Sequence, residues 1–278
     1  MTLAELFQHA GTFLGCLTIG KVPRLKAGSR ISAGSALHAL DATDAHALTE
    51  LRTALLYDAD PLGRSQDVYS IGIQGLDYAA AQRCPALSDD GLCRIHGEGK
   101  PAMCSVVPLD PLLPDRLQHT VLRNRLASAS FIGAQCLKDG EEAGFAPLVR
   151  FDRVVDLTYE RDLARRRDDL ARERAQWGNG VFALLKKELF DLRGDARQIP
   201  ADGYLSLPLA PVLAIVASVD EESRVRCVDF IDRQLALIDA MIAAAMARKL
   251  SADRATTAQL RTFAQAYLRQ RGLLQRAT

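Results

Sequence analysis

Hydrophobic residues recur at helical intervals along most of the chain. In "ALHALDATDAHALTELRTALLYDA", Leu37, Leu40, Leu48, Leu51 and Leu55 stand at mostly helical spacings with alanine between them. The N-terminal part, to about Asp60, is therefore predicted to be helical. "LSLPLAPVLAIVASV", from Leu205 to Val219, reads as a buried helix entered through Pro208 and Pro211. Farther on, Val228, Ile231, Leu235, Ile238, Ile242 and Met246 stand three or four apart, a core-facing stripe on one helix. "TTAQLRTFAQAYLRQRGLL" supplies a last helix, capped by Thr256 or Thr257. From Thr158, "TYERDLARRRDDLARERAQW" is dense in both charge signs, with Asp162/Arg166 and Asp168/Arg172 four apart. Leu163, Leu170 and Trp177 recur every seven residues there and form a narrow apolar seam, a candidate contact surface. The interleaved acids favour a salt-bridged exposed helix over one that touches phosphate.

Between about Pro61 and Gly144 the texture changes. "DVYSIGIQGLDY" alternates apolar and polar residues, which predicts a short strand. Turn-forming runs follow at Ser88-Asp89-Asp90-Gly91, at Gly97-Glu98-Gly99-Lys100-Pro101 and from Pro108 to Pro114. Asp89 and Asp90 read as turn formers, and Asp110 and Asp115 as turn and cap residues beside a site. Asp115 to Cys136 returns to helix, with Leu117, Val121, Leu122 and Leu126 on its inner face.

Composition narrows the class. Across 278 residues, 48% hydrophobic and 25% charged describes a globular chain, not a disordered one. Lys+Arg 35 against Asp+Glu 34 leaves a net charge of +1, so no global field attracts polyanions and no nucleic-acid partner is expected. "MTLAELFQHAGTFLGCLTIGK" lacks the basic start of a secretory signal, and Leu205–Val219 is too short to cross a bilayer. A cytoplasmic protein without membrane association is expected. In that reducing compartment, clustered cysteines favour metal binding or redox chemistry over structural disulfides.

Three of the six cysteines fall in "CPALSDDGLCRIHGEGKPAMC", from Cys84 to Cys104, and Cys136 follows. The spacing lacks the Cys-x2-Cys knuckle of common zinc ribbons. Glycines and prolines between the thiols still let the backbone fold around an ion, with Leu87, Leu92, Ile95, Met103 and Val106 as anchors. Four thiolates at Cys84, Cys93, Cys104 and Cys136 around zinc or an iron–sulfur cluster would hold such a segment together. A disulfide, a catalytic thiol with His96 as its base, and loop cysteines without a ligand are the other readings. Cys16 is either a fifth ligand or a buried thiol, and Cys227 reads as core. His9, His38 and His46 read as surface or boundary residues.

The run "CPALSDDGLCRIHGEGKPAMCSVVPLDP" resembles the YkgJ-like cysteine-cluster domain, a zinc- or iron-chelating family. The matches are Cys84-Pro85-Ala86-Leu87, Asp89-Asp90-Gly91, Cys93-Arg94-Ile95-His96, Lys100-Pro101, Cys104 and Pro108-Leu109, with Cys136 where a later cysteine completes the set. Flagellin lysine N-methylases carry a similar block. The likeness covers about 55 residues, roughly a fifth of the chain. It departs from the family pattern in lacking the dense N-terminal cysteine group, for which only Cys16 stands. The resemblance implies metal or cluster binding, and more weakly a catalytic role.

Together these readings predict a mainly α protein, with an irregular cysteine-rich segment and at most a short β element. Residues 1–150 would form the cysteine-cluster domain with its N-terminal helices, and residues 151–278 a helical C-terminal region. The expected function is metal binding through four cysteines in a redox or protein-modification role, with a protein as partner or substrate. A structural-zinc interaction module and a lysine methylase-like enzyme are the alternatives. No Gly-x-Gly-x-x-Gly or Walker A run supports a nucleotide or methyl-donor pocket.

Overall fold

Gly15–Pro23, "GCLTIGKVP", is extended rather than helical, and its first six residues are buried on both faces. The computed structural model describes residues 1–60, 62, 65–81, 83–97, 99–128, 137–140, 145–190, 198–200 and 203–276. Chain order begins α1 (Leu3–Gln8), β1 (Gly15–Pro23), β2 (Arg30–Ala33), β3 (Ala36–Ala39), α2 (Ala42–Leu55) and β4 (Asp67–Gly75). After the cysteine segment come α3 (Ala102–Val106), α4 (Gln118–Ala127), β5 (Val149–Arg150), β6 (Arg153–Val154) and α5 (Leu157–Glu173). The last part holds α6 (Asn179–Leu185), β7 (Leu205–Leu207), α7 (Ala210–Ala217), α8 (Glu221–Arg248) and α9 (Asp253–Arg276). Two compact units share these elements: Met1–Lys21, Tyr69–Lys100 and Glu173–Thr278 form one, Val22–Val68 and Pro101–Arg172 the other.

The first unit is built on a three-stranded sheet of order β4–β1–β7. β7 runs antiparallel to β1, with Leu17 opposite Leu207 and Ile19 opposite Leu205. Helices α7, α8 and α9 cover it. Val212, Leu213, Phe230, Ile231, Ile238, Leu260, Phe263 and Tyr267 are buried there, as are Leu6, Leu14, Leu17 and Ile19. Gln234 lies fully buried among them and closes an irregular turn. Its Nε2 donates to the Ala10 and Phe13 carbonyls (2.7 and 3.0 Å), and its Oε1 accepts from the Gly15 amide (2.8 Å). The Tyr267 hydroxyl donates to the Gly15 carbonyl at 3.2 Å. A side chain at Gly15 has no room, since a Cβ there would lie 2.2 Å from Leu6 Cδ2.

In the second unit, β2 and β3 form a hairpin with Ala33 opposite Ala36. Its two-residue loop needs Gly34 at φ +71°, which glycine adopts freely. Asp41 caps α2 in a reciprocal box with Asp44. Asp44 is buried and also accepts from Arg116 Nε (2.5 Å) and His38 Nε2 (3.2 Å). Burial pushes the Asp44 carboxyl up, but the hydrogen bonds from the Asp41 amide, Arg116 and His38 outweigh it and hold it below its ordinary value. His119 packs edge-on to His38 with ring centroids 5.0 Å apart, and its Nδ1–H donates to the Arg116 carbonyl. Burial pushes the His119 imidazole below its usual value. Two apolar clusters flank this network, Leu40/Leu48/Leu117 and Leu109/Val154/Leu163.

The expected mainly α class is corrected. The described residues are 54% helical with 14% strand in three small sheets, a mixed α/β arrangement. β1 has an apolar residue at almost every inner position because both its faces are covered, so the alternation that announces a strand is absent. Leu37, placed on a helix by its spacing, lies in β3 and is 65% exposed, and the helix starts only after Asp41. The strand expected in "DVYSIGIQGLDY" is β4. Two end-of-helix expectations also change: Met246 is 63% exposed, and α9 starts at Asp253, ahead of either threonine. Of the expected seam, Leu163 and Trp177 are buried in the chain itself and Leu170 is half-buried. Around it Arg172 pairs with Asp169 in place of the expected Asp168, and Arg167 pairs with Asp115.

Replacing Gln234 with leucine strands one amide and two carbonyls in the core. With about 1–3 kcal/mol for each buried group left unsatisfied, Q234L is expected to lose about 3 kcal/mol or more in urea denaturation. The His119–Asp44 network sets a pH dependence. His119 binds its proton more readily unfolded than folded, so its contribution is complete above about pH 6.5 and declines as the pH falls below. Asp44 extends the loss as the pH falls through its lowered value. Hydrogen-exchange protection in α2 and α4 is therefore expected to fall below about pH 6.5, and H119Q to flatten the upper part of that fall.

Candidate functional site

The cysteine segment is ordered by its own backbone. Leu87 and Cys93 form an isolated antiparallel bridge around a turn in which Gly91 takes φ +81°. Asp90 accepts from Ser88 Oγ and from the Leu92 amide, the turn-forming role expected of it. Arg94 ties the ends through its amide to the Ala86 carbonyl (2.9 Å) and its guanidinium to the Pro85 carbonyl (2.7 Å). Ala86 and Val106 are buried anchors, whereas Leu92 is 67% exposed.

Cys84 is exposed and Cys93 half-buried in the first unit; Cys104 is exposed on α3 of the second; Cys136 lies outside the described residues. Among the described residues, no group of three or more His, Cys, Asp or Glu side chains is placed to hold a metal ion. This overturns the metal-binding function expected from the spacing. A backbone bridge and a tight turn give the loop its order. Cys16 and Cys227 are buried, and burial pushes each thiol up to about 11. His9 is also buried, and its Nε2–H donates to the Gly99 carbonyl at 2.9 Å. His46 is exposed beside Glu50.

A different constellation stands at the turn from α8 to α9. A cavity of ≈ 470 Å³ is lined there by Lys249, Ser251, Asp253, Arg254, Thr257 and Arg261, with Met246 and Leu250 beside them. Asp253 is its one acid, and Arg248 takes that carboxylate with Nε at 3.1 Å and Nη2 at 2.9 Å. Arg248 also lies over the Tyr78 ring, 5.0 Å from its centroid, and Tyr78 Oη stands 3.0 Å from Thr257 Oγ1. Among the described residues, Lys249, Arg254 and Arg261 face no carboxylate within ion-pair distance.

The basic surface continues along α9. Its buried face is Leu260, Phe263, Tyr267 and Leu274, which turns Arg254, Arg261, Arg269 and Arg276 outward. At 100° per residue these four fall within about 80° of one another. Leu268 and Leu273 flank them and are exposed. Arg271, the remaining arginine of α9, pairs with Asp232. In sequence only the arginines of the segment from Thr158 invite a charged contact, and their interleaved acids argue against it. The signal was available: Asp253–Arg276 holds five arginines and a single acid, whereas in α5 acids alternate with the bases.

No family model, curated protein or solved structure matches the chain. The likeness to the cysteine-cluster family rests on the quoted motif alone. No helix among the described residues is long and apolar enough to cross a membrane.

Native alkylation with iodoacetamide, mapped by mass spectrometry, is expected to label Cys84 and Cys104 quickly. Cys16 and Cys227 should react only after unfolding. C84S and C104S are expected to stay within about 0.5 kcal/mol of the parent; a large loss in either would point back to a buried or metal-held thiol.

Proposed function

We propose that the protein is an interaction module that docks an acidic, partly apolar segment of a partner protein along the outer face of α9. The observation that carries the reading is the row Arg254, Arg261, Arg269 and Arg276, exposed on one face of a helix whose only acid, Asp253, is buried and consumed by Arg248. From Arg254 to Arg276 the row spans about 33 Å at 1.5 Å per residue. That length matches about ten residues of extended peptide. Arginine forks suit carboxylates, and exposed Leu268 and Leu273 add apolar contact at the edges of the row.

The same leucines argue for protein over nucleic acid. A phosphate backbone has no use for exposed leucine, and the aromatic residues of α9 that might stack on bases, Phe263 and Tyr267, are both buried. The net charge of +1 gives no long-range attraction to a polyanion. A cytoplasmic setting belongs to the proposal and is supported by solvent-facing thiols such as Cys84.

The test is fluorescence anisotropy with a synthetic peptide of about twelve residues alternating glutamate and leucine. Binding is expected to weaken steeply as salt rises, because exposed charges are screened. R269E/R276E should reduce affinity more than tenfold with an unchanged circular dichroism spectrum. A protein that ignores this peptide but binds duplex DNA or anionic vesicles would sink the proposal.

A further inference from the structure

We propose that the cavity between α8 and α9 is a phosphate pocket. It receives a phosphorylated serine or threonine at one end of the acidic segment, and so rests on the docking role given to the α9 face. Lys249, Arg254 and Arg261 line one cavity of ≈ 470 Å³. The single acid among its lining residues, Asp253, already carries the Arg248 guanidinium at 2.9 and 3.1 Å. Three like charges held together repel one another. Arg254 has a second disadvantage, since it stands in the first turn of α9, where the helix dipole disfavours a cation. A carboxylate would offset one of the three charges, whereas a phosphate monoester near pH 7 offsets close to two.

The hydrogen-bonding groups suit the same ligand. Ser251 and Thr257, two hydroxyl-bearing residues, line the cavity. Tyr78 Oη is 3.0 Å from Thr257 Oγ1, and with the phenol donating, the threonine hydroxyl is left to donate to an anion. Two arginine forks and an ammonium match the three peripheral oxygens of a phosphoryl group.

The backbone supplies a separate argument. Lys249 ends α8 in the left-handed region at φ +56°, and its amide donates to the Ala245 carbonyl. Glycine takes that position most readily, and a lysine there is held against its conformational preference. Lys249 instead lines the cavity and carries a positive charge. Strain at a residue that lines a charged hollow marks a position kept for binding rather than for stability.

That trade-off is testable, because K249G should relieve the backbone while removing the charge. Three ligands are compared on the full chain: inorganic phosphate, an acidic threonine peptide, and the same peptide phosphorylated on threonine. Inorganic phosphate is expected to shift the amide resonances of Ser251 to Thr257. The phosphopeptide should bind at least tenfold more tightly than its unmodified twin. K249G should remove most of that difference and leave the unmodified peptide's affinity unchanged, melting at the same temperature or higher, whereas R254A, which belongs to both the pocket and the row, should weaken both peptides and the phosphopeptide more. R269E/R276E should instead weaken both peptides together. Equal affinity for the two peptides would overturn the pocket and leave the docking face standing; binding of neither would overturn both. Inorganic phosphate binding as tightly as the phosphopeptide would overturn the protein segment as its source.

Discussion

Gly15 is gripped from two helices at once. Its amide donates to Gln234 of α8, and its carbonyl accepts from the Tyr267 hydroxyl of α9. Both partners are fully buried, so neither bond has water as a substitute, and each leaves an unsatisfied core group if broken. Gln234 also closes the Ala10 and Phe13 carbonyls, which fixes the turn between α1 and β1. The first strand can therefore lie only where α8 and α9 present these two side chains. Leu6 Cδ2, 2.2 Å from where a Cβ would stand, makes glycine the residue that fits.

The rotation of α9 follows from that grip. With Tyr267 facing Gly15, and Leu260, Phe263 and Leu274 on the same side, the 3.6-residue period turns Arg254, Arg261, Arg269 and Arg276 to solvent. The α8–α9 turn is held by the Arg248–Asp253 pair and by Arg248 over Tyr78. That pair removes the one negative charge from the cavity and leaves its cations without an internal counterpart. The basic face and the cavity are thus two consequences of one packing arrangement.

The cysteine segment teaches the opposite lesson about clustering in sequence. Thiols close along the chain bind a metal only if the backbone turns them toward one point. Here the Leu87–Cys93 bridge and the Ser88–Gly91 turn form a small hairpin, and Cys84 points to solvent. The turn chemistry that suggested a flexible metal loop is sufficient to build a hydrogen-bonded one. In the second unit the buried charge is handled differently: Asp44 is enclosed by an amide, an arginine and a histidine, so its desolvation is compensated within the protein.

Much was legible without coordinates. The periodic apolar positions of α8 and α9, the strand β4 and the turn-forming role of Asp89-Asp90 all follow from local patterns, because period and turn chemistry act within a few residues. The sequence determined which residues share a face. Whether a face is covered was decided by elements distant along the chain. β4 and β7 made Gly15–Pro23 a central strand, and the packed inner side of α9 left its arginines outside. No local pattern carries that information, since burial is a property of the neighbour as much as of the residue.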